Sequence, residues 1–250
     1  MADEVREREE MIEKIRIILK DANNIVCLTG VGTAIECGAP NFLADEKAYE
    51  IEDKYHYSPE EILSTGFYSA RTEKFYDFYH QEVLSNELVP NEIYTALLEL
   101  QNRGKLKACI TQNVYGLSQK AGIENVIELH GNIYHNWCTK CGKKFSAEYM
   151  RNYKGVPLCD ECHKVIRPGV RLYGEMIRND VMTDAVNACQ NADVLLILGT
   201  NIYDSLVRFN ISHYPGDKLV LITKHEHFTD NQADYLIHDY VKDIMPLIVR

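Results

Sequence analysis

The sequence predicts an α/β protein in which a doubly wound parallel sheet carries a small zinc ribbon. Short runs rich in Val, Ile and Leu alternate with helical patterns along most of the chain, as buried parallel strands and their crossover helices do. The first of these runs leads directly into a glycine-rich turn at residues 30–32, which is how nucleotide-binding βα units begin. Two C-x-x-C pairs between residues 138 and 162 have the spacing of a zinc site.

Composition argues against several classes of function. The 250 residues suffice for one sizeable domain and a small accessory module, and 46% hydrophobic with 26% charged residues is ordinary for a globular protein. The 27 Lys and Arg residues against 37 Asp and Glu residues give a formal net charge of −10. Because nucleic acid and anionic membranes attract basic surfaces, we expect neither as a direct partner.

We expect the protein to be cytoplasmic. No run approaches the roughly 20 apolar residues that span a bilayer, and residues 1–10 lack the apolar centre of a secretion signal. Four of the eight cysteines belong to the C-x-x-C pairs. The other four are interpreted as buried small hydrophobic residues, and they are Cys27, Cys37, Cys109 and Cys189.

The first elements are a helix, a strand and a glycine turn. Residues 3–20 have the periodicity of an amphipathic helix, and residues 25–29 form a short buried strand that runs into Gly30-Val31-Gly32. Glycines there permit close approach of the backbone to a phosphate, toward which the next helix points its amides. Because the motif lacks the full G-x-G-x-x-G, a plain strand–turn is the alternative.

The later segments are a loop, a helical region and further strands. Residues 41–65 are interpreted as a long irregular loop of the lid or binding type, with Ser58-Pro59 marking a helix start. Residues 66–103 are predicted to carry helices with aromatic residues in the core, divided at Pro90-Asn91. Strands are predicted at 105–111, 125–129, 193–199, 218–222 and 235–238. Their alternation with helices gathers several loops at one edge of the sheet.

The two cysteine pairs predict a structural zinc site. In the zinc pattern about 15–20 residues separate two C-x-x-C pairs, and residues 142–158 provide such a separation here. Four thiolates complete the tetrahedral coordination of Zn²⁺ and leave no position for a substrate. The alternatives are unrelated surface thiols, a redox pair, or His163 competing as a ligand. The predicted ligands are Cys138, Cys141, Cys159 and Cys162.

The stretch 111–131 predicts a site of chemistry. It begins where an apolar run gives way to Gln112 and Asn113, and it ends where a second apolar run is followed by His130 and Gly131. Side chains at strand ends project into the crevice outside the carboxyl edge of an open α/β sheet. A histidine there can act as a base near neutral pH, and the alternative is a structural histidine at a turn.

A series of motifs follows a characteristic order over about residues 10–249. They are Thr29-Gly-Val-Gly32, Gly38-Ala-Pro-Asn-Phe42, Thr111-Gln-Asn-Val-Tyr-Gly-Leu117, Gln119-Lys-Ala-Gly122, Glu128-Leu-His-Gly131, the cysteine pairs, Arg167-Pro168, Tyr173-Gly-Glu175 and Gly199-Thr200. This order resembles that of the sirtuins, the NAD-dependent protein-lysine deacylases. The resemblance implies a large Rossmann-like domain with a smaller zinc-bearing domain inserted in it. NAD and an acyl-lysine segment would enter the cleft between them.

The resemblance also implies domain boundaries. Residues 1–40, 66–133 and 170–250 are expected to form the Rossmann-like NAD-binding domain. Residues 41–65 are expected to form a cofactor-binding loop and the helical part of the small domain, and residues 134–169 the zinc-ribbon module.

The site residues follow from the same resemblance. His130 would act as the base on the ribose hydroxyls and Asn113 would hold the nicotinamide ribose, so both are predicted to be catalytic. The cofactor contacts besides Asn113 are predicted to be Gly30, Val31, Gly32, Phe42, Gln112, Gly199, Thr200, Asn201 and Thr223. The predicted substrate contacts are Val170, Arg171, Tyr173, Gly174 and Glu175. The expected partners are NAD or ADP-ribose and an acyl-lysine protein or peptide.

The predicted cofactor pocket departs from the family pattern. The usual G-A-G has Val31 in place of its alanine. The usual P-D-F-R has Asn41 and Leu43 in place of its aspartate and arginine, and the usual T-Q-N-I-D has Tyr115 in place of its aspartate. Leu43 offers nothing comparable to the charge-assisted contact of an arginine with a phosphate. Tyr115 replaces the carboxylate that would recognise the nicotinamide amide. Independent drift is the alternative for each change.

Arg171 stands where the family has an apolar residue beside the acyl-lysine channel. It hints at an acidic acyl group, and a solvated arginine is the alternative. Asn201 and Thr223 also differ from the usual Ser and Asn.

Three functions are compatible with these residues. The first is an NAD-dependent deacylase, or a related ADP-ribosyl transferase, with an altered cofactor pocket. The second is a catalytically degenerate fold that binds a nucleotide, an acyl-lysine segment or a protein partner. The third is an NAD-cleaving hydrolase that requires no acyl-lysine.

Overall fold

Nine strands form two sheets within residues 2–250, which the computed structural model describes, with side chains described from residue 5 onward. The strands are β1 (Ile25–Thr29), β2 (Leu106–Thr111), β3 (Val126–Glu128), β4 (Asn136–Cys138), β5 (Lys144–Phe145), β6 (Ile166–Arg167), β7 (Val194–Leu198), β8 (Leu219–Thr223) and β9 (Tyr235–His238). The main sheet has the order β3-β2-β1-β7-β8-β9, with every neighbouring pair parallel. Counted within the sheet this is the Rossmann order 3-2-1-4-5-6, so the predicted doubly wound parallel sheet is confirmed.

Helices connect the parallel strands. They are α1 (Ala2–Asp21), α2 (Val31–Ile35), α3 (Asp45–Tyr55), α4 (Pro59–Ile62), α5 (Thr65–Ala70), α6 (Thr72–Phe78), α7 (Glu92–Asn102), α8 (Leu117–Lys120), α9 (Ala147–Asn152), α10 (Asn179–Gln190), α11 (Ser205–Ile211) and α12 (Val241–Ile248). A π-helical turn follows α6 at Tyr79–Leu84. The predicted amphipathic helix is α1. The predicted division at Asn91 is the N-cap of α7, where the Asn91 side chain accepts a hydrogen bond from the amide of Ile93 (3.1 Å).

The main sheet is buried on both faces. In β1, Val26 and Leu28 belong to one hydrophobic core, whereas Ile25 and Cys27 belong to the other. Successive side chains of a strand point to opposite faces, so an apolar run without alternation requires cover on both sides. The Val26 core includes residues of α10 and α11, and the Ile25 core includes residues of α1, α7 and α12.

The structure corrects the interpretation of residues 41–65 as an irregular loop, because most of this segment is helical. Helix α3 covers Asp45–Tyr55 and buries Ile51, while its acidic side chains stay in solvent. With so few apolar residues, the segment lacks the periodicity by which a helix is recognised in a sequence. The predicted helix start at Ser58 is present, since the Ser58 hydroxyl accepts a hydrogen bond from the amide of Glu61 (3.2 Å).

The smaller sheet has the antiparallel order β5-β4-β6. Residues of the helical region contact this sheet and the neighbouring α9. The Arg167 guanidinium of β6 lies 5.0 Å from the ring centre of Tyr68, and Arg151 Nε of α9 donates to the carbonyl of Leu84 (2.7 Å). The division of the chain at the expected domain boundaries stays a prediction. Within residues 2–250 no helix combines the length and the apolarity that crossing a bilayer requires.

The two sheets are joined where the chain crosses itself beside residue 130. Asn132 N donates to the carbonyl of Gly169 (2.9 Å), and Arg171 N donates to the carbonyl of His130 (2.8 Å). Gly131 has a left-handed φ of 71°, and a Cβ at either Gly131 or Gly169 would overlap the backbone of the opposite segment. Glycine is therefore required on both sides of the crossing.

Candidate active site

A cavity of about 240 Å³ lies at the carboxyl ends of β1 and β2. Eight predicted site residues line it: Val31, Phe42, Gln112, Asn113, His130, Val170, Arg171 and Tyr173. The other predicted cofactor and substrate residues, all within the described chain, lie outside its lining: Gly30, Gly32, Gly199, Thr200, Asn201, Thr223, Gly174 and Glu175. The loops that follow β1, β2 and β3 thus bring the predicted base and its neighbours into one cavity, as the crevice rule for open α/β sheets requires.

His130 follows β3 and contacts Arg171. The Arg171 Nη1 lies 3.0 Å from His130 Nδ1, and the Arg171 amide donates to the His130 carbonyl. Burial, followed by the nearby Arg171 charge, lowers the pKa of His130 from 6.5 to about 4. The imidazole is therefore neutral at pH 7, which is the protonation state that a general base needs.

The turn after β1 holds the side chain of Asn113 in place. Its Nδ2 donates to the carbonyl of Gly30 (3.1 Å) and to the hydroxyl of Thr33 (2.8 Å), and the residue is only 7% exposed. Both amide protons are thereby used on protein acceptors. The amide oxygen is left to receive a hydrogen bond from a hydroxyl group in the cavity.

Gln112 is held by Asp204, which no sequence motif identifies as a site residue. Its Nε2 donates to Asp204 Oδ1 (2.9 Å), and the same oxygen accepts the amides of Leu206 and Val207 at the start of α11. Asp204 also acts on the site through its charge, which opposes the lowering of the His130 pKa. An aspartate before a helix is an N-cap signal, but its approach to Gln112 depends on the tertiary fold.

The glycine turn after β1 packs against the turn after β7. A Cβ on Gly32 would lie 2.6 Å from the carbonyl oxygen of Gly199, and one on Gly30 would overlap the Thr200 side chain. The two strands are neighbours in the sheet, so their turns meet at the point where the strand order reverses. Glycine is required here by protein packing, and the expected phosphate contact stays a prediction.

Asn201 and Thr223 extend the same edge of the sheet. The Asn201 side-chain oxygen accepts the amide of Asp204 (2.9 Å), while Thr223 ends β8 and is buried. Both residues therefore lie beyond the cavity, on the side of β7 and β8.

Two tyrosines line the inner part of the cavity. Tyr115 is 6% exposed and Tyr79 is fully buried, and burial raises the pKa of both phenols, so both stay neutral. Tyr79 lines the cavity, and its buried hydroxyl has no hydrogen-bond partner among the described residues. A buried polar atom of this kind is satisfied when a polar ligand binds. In the sequence, Tyr79 belongs to an aromatic spacing that is typical of core packing.

Gly174 and Glu175 act as supports outside the cavity. Glu175 Oε1 pairs with Arg167 Nη2 (2.5 Å), and Oε2 accepts the amide of Leu172 (2.7 Å). Gly174 adopts a φ of 91°, which glycine tolerates best. These contacts shape the 170–173 wall, and direct contact of either residue with a substrate stays a prediction.

The four predicted zinc ligands form a compact cluster. Their sulfur atoms lie within 4.8 Å of one another, with Cys138 to Cys162 at 3.3 Å and Cys141 to Cys159 at 3.7 Å. A tetrahedral Zn²⁺ with bonds of about 2.3 Å places its sulfur ligands about 3.8 Å apart, so the cluster fits the metal. All four ligand positions are provided by cysteines, which indicates a structural site.

A Rossmann-like sheet with a four-cysteine ribbon, and with His130 in a cavity at the carboxyl edge of the sheet, defines the class of this protein, and the comparisons identify its family. The chain belongs to the Sir2 family, whose model matches residues 30–203. It is 39% identical over 239 residues to a Clostridium tetani protein named NAD-dependent protein deacetylase, covering 95% of this chain and 97% of the relative.

Solved structures agree with this assignment. A Sir2 homologue in complex with NAD matches with a TM-score of 0.82 and 30% identity, covering 95% of this chain and 92% of that one. A Sir2 protein bound to an acetylated peptide matches with a TM-score of 0.79 and 26% identity, covering 94% of this chain and 95% of that one.

Proposed function

We propose that the chain is an NAD-dependent protein-lysine deacylase of the deacetylase type, which transfers the acyl group to ADP-ribose and releases nicotinamide. The observation that carries this proposal is the neutral His130 ring in one cavity with Gln112 and Asn113, at the carboxyl edge of a Rossmann-like sheet. The partners are then NAD or ADP-ribose and an acyl-lysine protein or peptide. The name of the Clostridium tetani relative and the two solved complexes support these partners.

When bound, NAD supplies the ADP-ribosyl group that accepts the acyl group and the nicotinamide that leaves. The residues present fit its nicotinamide ribose end, because Asn113 offers an amide oxygen and the buried Tyr79 hydroxyl lacks a partner among the described residues. The rest of the dinucleotide would lie along the carboxyl ends of β1, β7 and β8. Gly30, Gly199 and Thr223 lie there.

The side chains of the cavity have separate tasks in this function. His130 accepts a proton from a ribose hydroxyl, for which its neutral state is suited. Asn113 and Gln112 orient the sugar, and both are held by protein contacts before any ligand arrives. Phe42 packs against Phe78 with ring centres 5.7 Å apart, and it closes one wall of the cavity against water.

A second candidate function is a degenerate Sir2 fold that binds a nucleotide or an acyl-lysine segment without turnover. Tyr115 favours it, because a neutral and nearly buried phenol occupies the position of the family's carboxylate. Leu43 favours it as well, since an exposed leucine contributes no charge toward a phosphate.

An assay of nicotinamide release separates these candidates. Release from NAD that requires an acyl-lysine peptide, is lost in His130→Ala and persists in the surface control His213→Ala supports the deacylase. Release without peptide indicates an NAD-cleaving hydrolase. No release, together with saturable calorimetric binding of ADP-ribose or peptide, indicates the binding module and contradicts the proposed enzyme.

A cytoplasmic location is part of the proposal. Zinc thiolates persist best in a reducing compartment, where cysteines are not drawn into disulfides, and this supports the location. Cell fractionation with detection of the native chain tests it.

A further inference from the structure

We propose that the cavity prefers acyl-lysine whose acyl chain ends in a carboxylate over acetyl-lysine, and that this carboxylate binds Arg171 and thereby keeps His130 free to act as a base. This inference rests on the proposed deacylase function and specifies its substrate class. The observations that carry it are the position of Arg171, its contact with His130 and its lack of an anionic partner among the described side chains.

Arg171 lies between two cavities. Together with Val170 it lines both the 240 Å³ cavity and a larger outer groove of about 1360 Å³ between the zinc ribbon and α10. It therefore stands on the wall shared by the interior of the site and the outer surface. The glycine turns at the carboxyl edge of β1 and β7 lie outside the lining of this cavity, so Arg171 is placed for the substrate rather than for the cofactor diphosphate.

The contact with Arg171 occupies the basic nitrogen of His130. A guanidinium has donors and no acceptor, so His130 Nδ1 must accept the hydrogen bond from Arg171 Nη1. A neutral imidazole has one basic ring nitrogen, and the other then carries the proton. While this 3.0 Å contact persists, His130 has no free lone pair with which to accept a proton from a ligand.

Arg171 is a half-buried cation without an ion pair. Its Nε donates to the backbone carbonyl of Glu175 (2.9 Å), but the Glu175 carboxylate is used by Arg167 and by the Leu172 amide. Glu60 lines the same cavity, and Glu128 and Asp184 line the outer groove. Asp204 lies outside both linings and is held by Gln112 and the start of α11. Among the side chains described from residue 5 onward, none of these carboxylates forms a salt bridge with Arg171.

A carboxylate at the end of the acyl chain satisfies this cation. Arginine binds carboxylates through two parallel, charge-assisted hydrogen bonds, which a neutral acetyl group cannot form. Such bonds are stronger than the neutral contact with His130, so the guanidinium turns toward the substrate and Nδ1 becomes free. The cavity wall nearby is apolar, with Phe42, Leu63 and Leu172, and the weak screening there favours the pairing.

Binding of labelled peptides tests the inference without requiring turnover. One peptide sequence carries lysine with an acetyl group, a succinyl group or the neutral terminal amide of the succinyl group, and binding is measured by fluorescence anisotropy with ADP-ribose present. The wild type is expected to bind the succinyl peptide at least tenfold more tightly than the amide, a difference of about 1.4 kcal/mol. Arg171→Gln is expected to bind both equally, and Arg171→Lys to restore part of the preference.

The state of His130 gives a second readout. In the wild type, the ¹⁵N signal of His130 Nδ1 is expected to change when the succinyl peptide binds and to stay unchanged with the amide. Thermal unfolding and zinc content establish that the Arg171 variants fold. If they do not fold, the ratio of the succinyl and amide peptide affinities in the wild type decides whether the inference holds. Equal binding of all three peptides overturns the inference and leaves the deacylase function intact. Absence of binding by every peptide overturns both.

Discussion

Gln112, directly after β2, donates a hydrogen bond of 2.9 Å to Asp204, which caps the amino terminus of α11. One carboxylate oxygen thus accepts both a cavity side chain and two helix amides. The orientation of Gln112 in the candidate active site is therefore tied to the start of a helix on the other side of β1.

Replacing Asp204 tests this coupling. In Asp204→Ala the N-cap of α11 is lost, so we expect the free energy of unfolding to fall by about 1 kcal/mol. Urea denaturation measures the change. Asp204→Asn is the matched control, because asparagine also caps helices and accepts from Gln112. An Asp204→Ala protein as stable as the Asn variant would show that the cap contributes nothing.

Gly32→Ala tests the packing of the two glycine turns. Its Cβ would lie 2.6 Å from the Gly199 carbonyl oxygen, so we expect overpacking to destabilise the protein by about 1–3 kcal/mol. Gly66→Ala in α5 is the control, since the nearest atom to its Cβ is 4.0 Å away and alanine favours a helix. Thermal unfolding compares the two, and equal midpoints would contradict the packing argument.

The double substitution Tyr115→Asp with Leu43→Arg is expected to raise the affinity for NAD. It removes a buried phenol from the cavity and places a cation at an exposed position of its rim, where it can reach a phosphate. Calorimetry on the wild type, both single variants and the double variant measures the effect. If the affinity of the double variant for NAD equals that of the wild type, the prediction is wrong and other residues determine the shape of the pocket.

Removal of the metal is expected to disorder the smaller sheet and spare the larger one. Sheets of so few residues have little core of their own, so the four thiolates and Zn²⁺ hold β4, β5 and β6 together. Cys138→Ser should lower the zinc content and the melting temperature, whereas Cys37→Ser, outside the cluster, should leave the zinc content unchanged. Metal analysis and circular dichroism provide the measurements, and an unchanged zinc content in Cys138→Ser would refute the assignment.

The acid titration of His130 should lie near pH 4. Its folded-state pKa of about 4 is below the ordinary 6.5, so its contribution to stability is complete above pH 6.5 and is lost as the pH falls toward 4. Arg171→Gln removes one of the causes of the lowering, and the titration should move to higher pH. NMR of the ring protons follows both proteins. A wild-type midpoint near 6.5 would contradict the buried contact.

The sequence predicts those parts of the structure that depend on local pattern. Apolar runs such as 194–198 identify buried strands, and the cysteine spacing identifies the metal cluster. Helix α3 was not predicted because Ile51 is its only buried residue, so its sequence has no periodic pattern of apolar residues. Asp204 and Tyr79 enter the site through long-range contacts, which no local pattern encodes.

The crossing of Gly131 and Gly169 connects the backbone of the zinc ribbon directly to the backbone of His130. The backbone that presents the imidazole continues within a few residues into the ribbon that the cysteines close, and it is clamped by the strand returning from that ribbon. Oxidation of the thiolates is therefore expected to displace His130 without any direct contact between them. Without zinc, the chain is expected to lose the position of His130 before it loses its larger sheet.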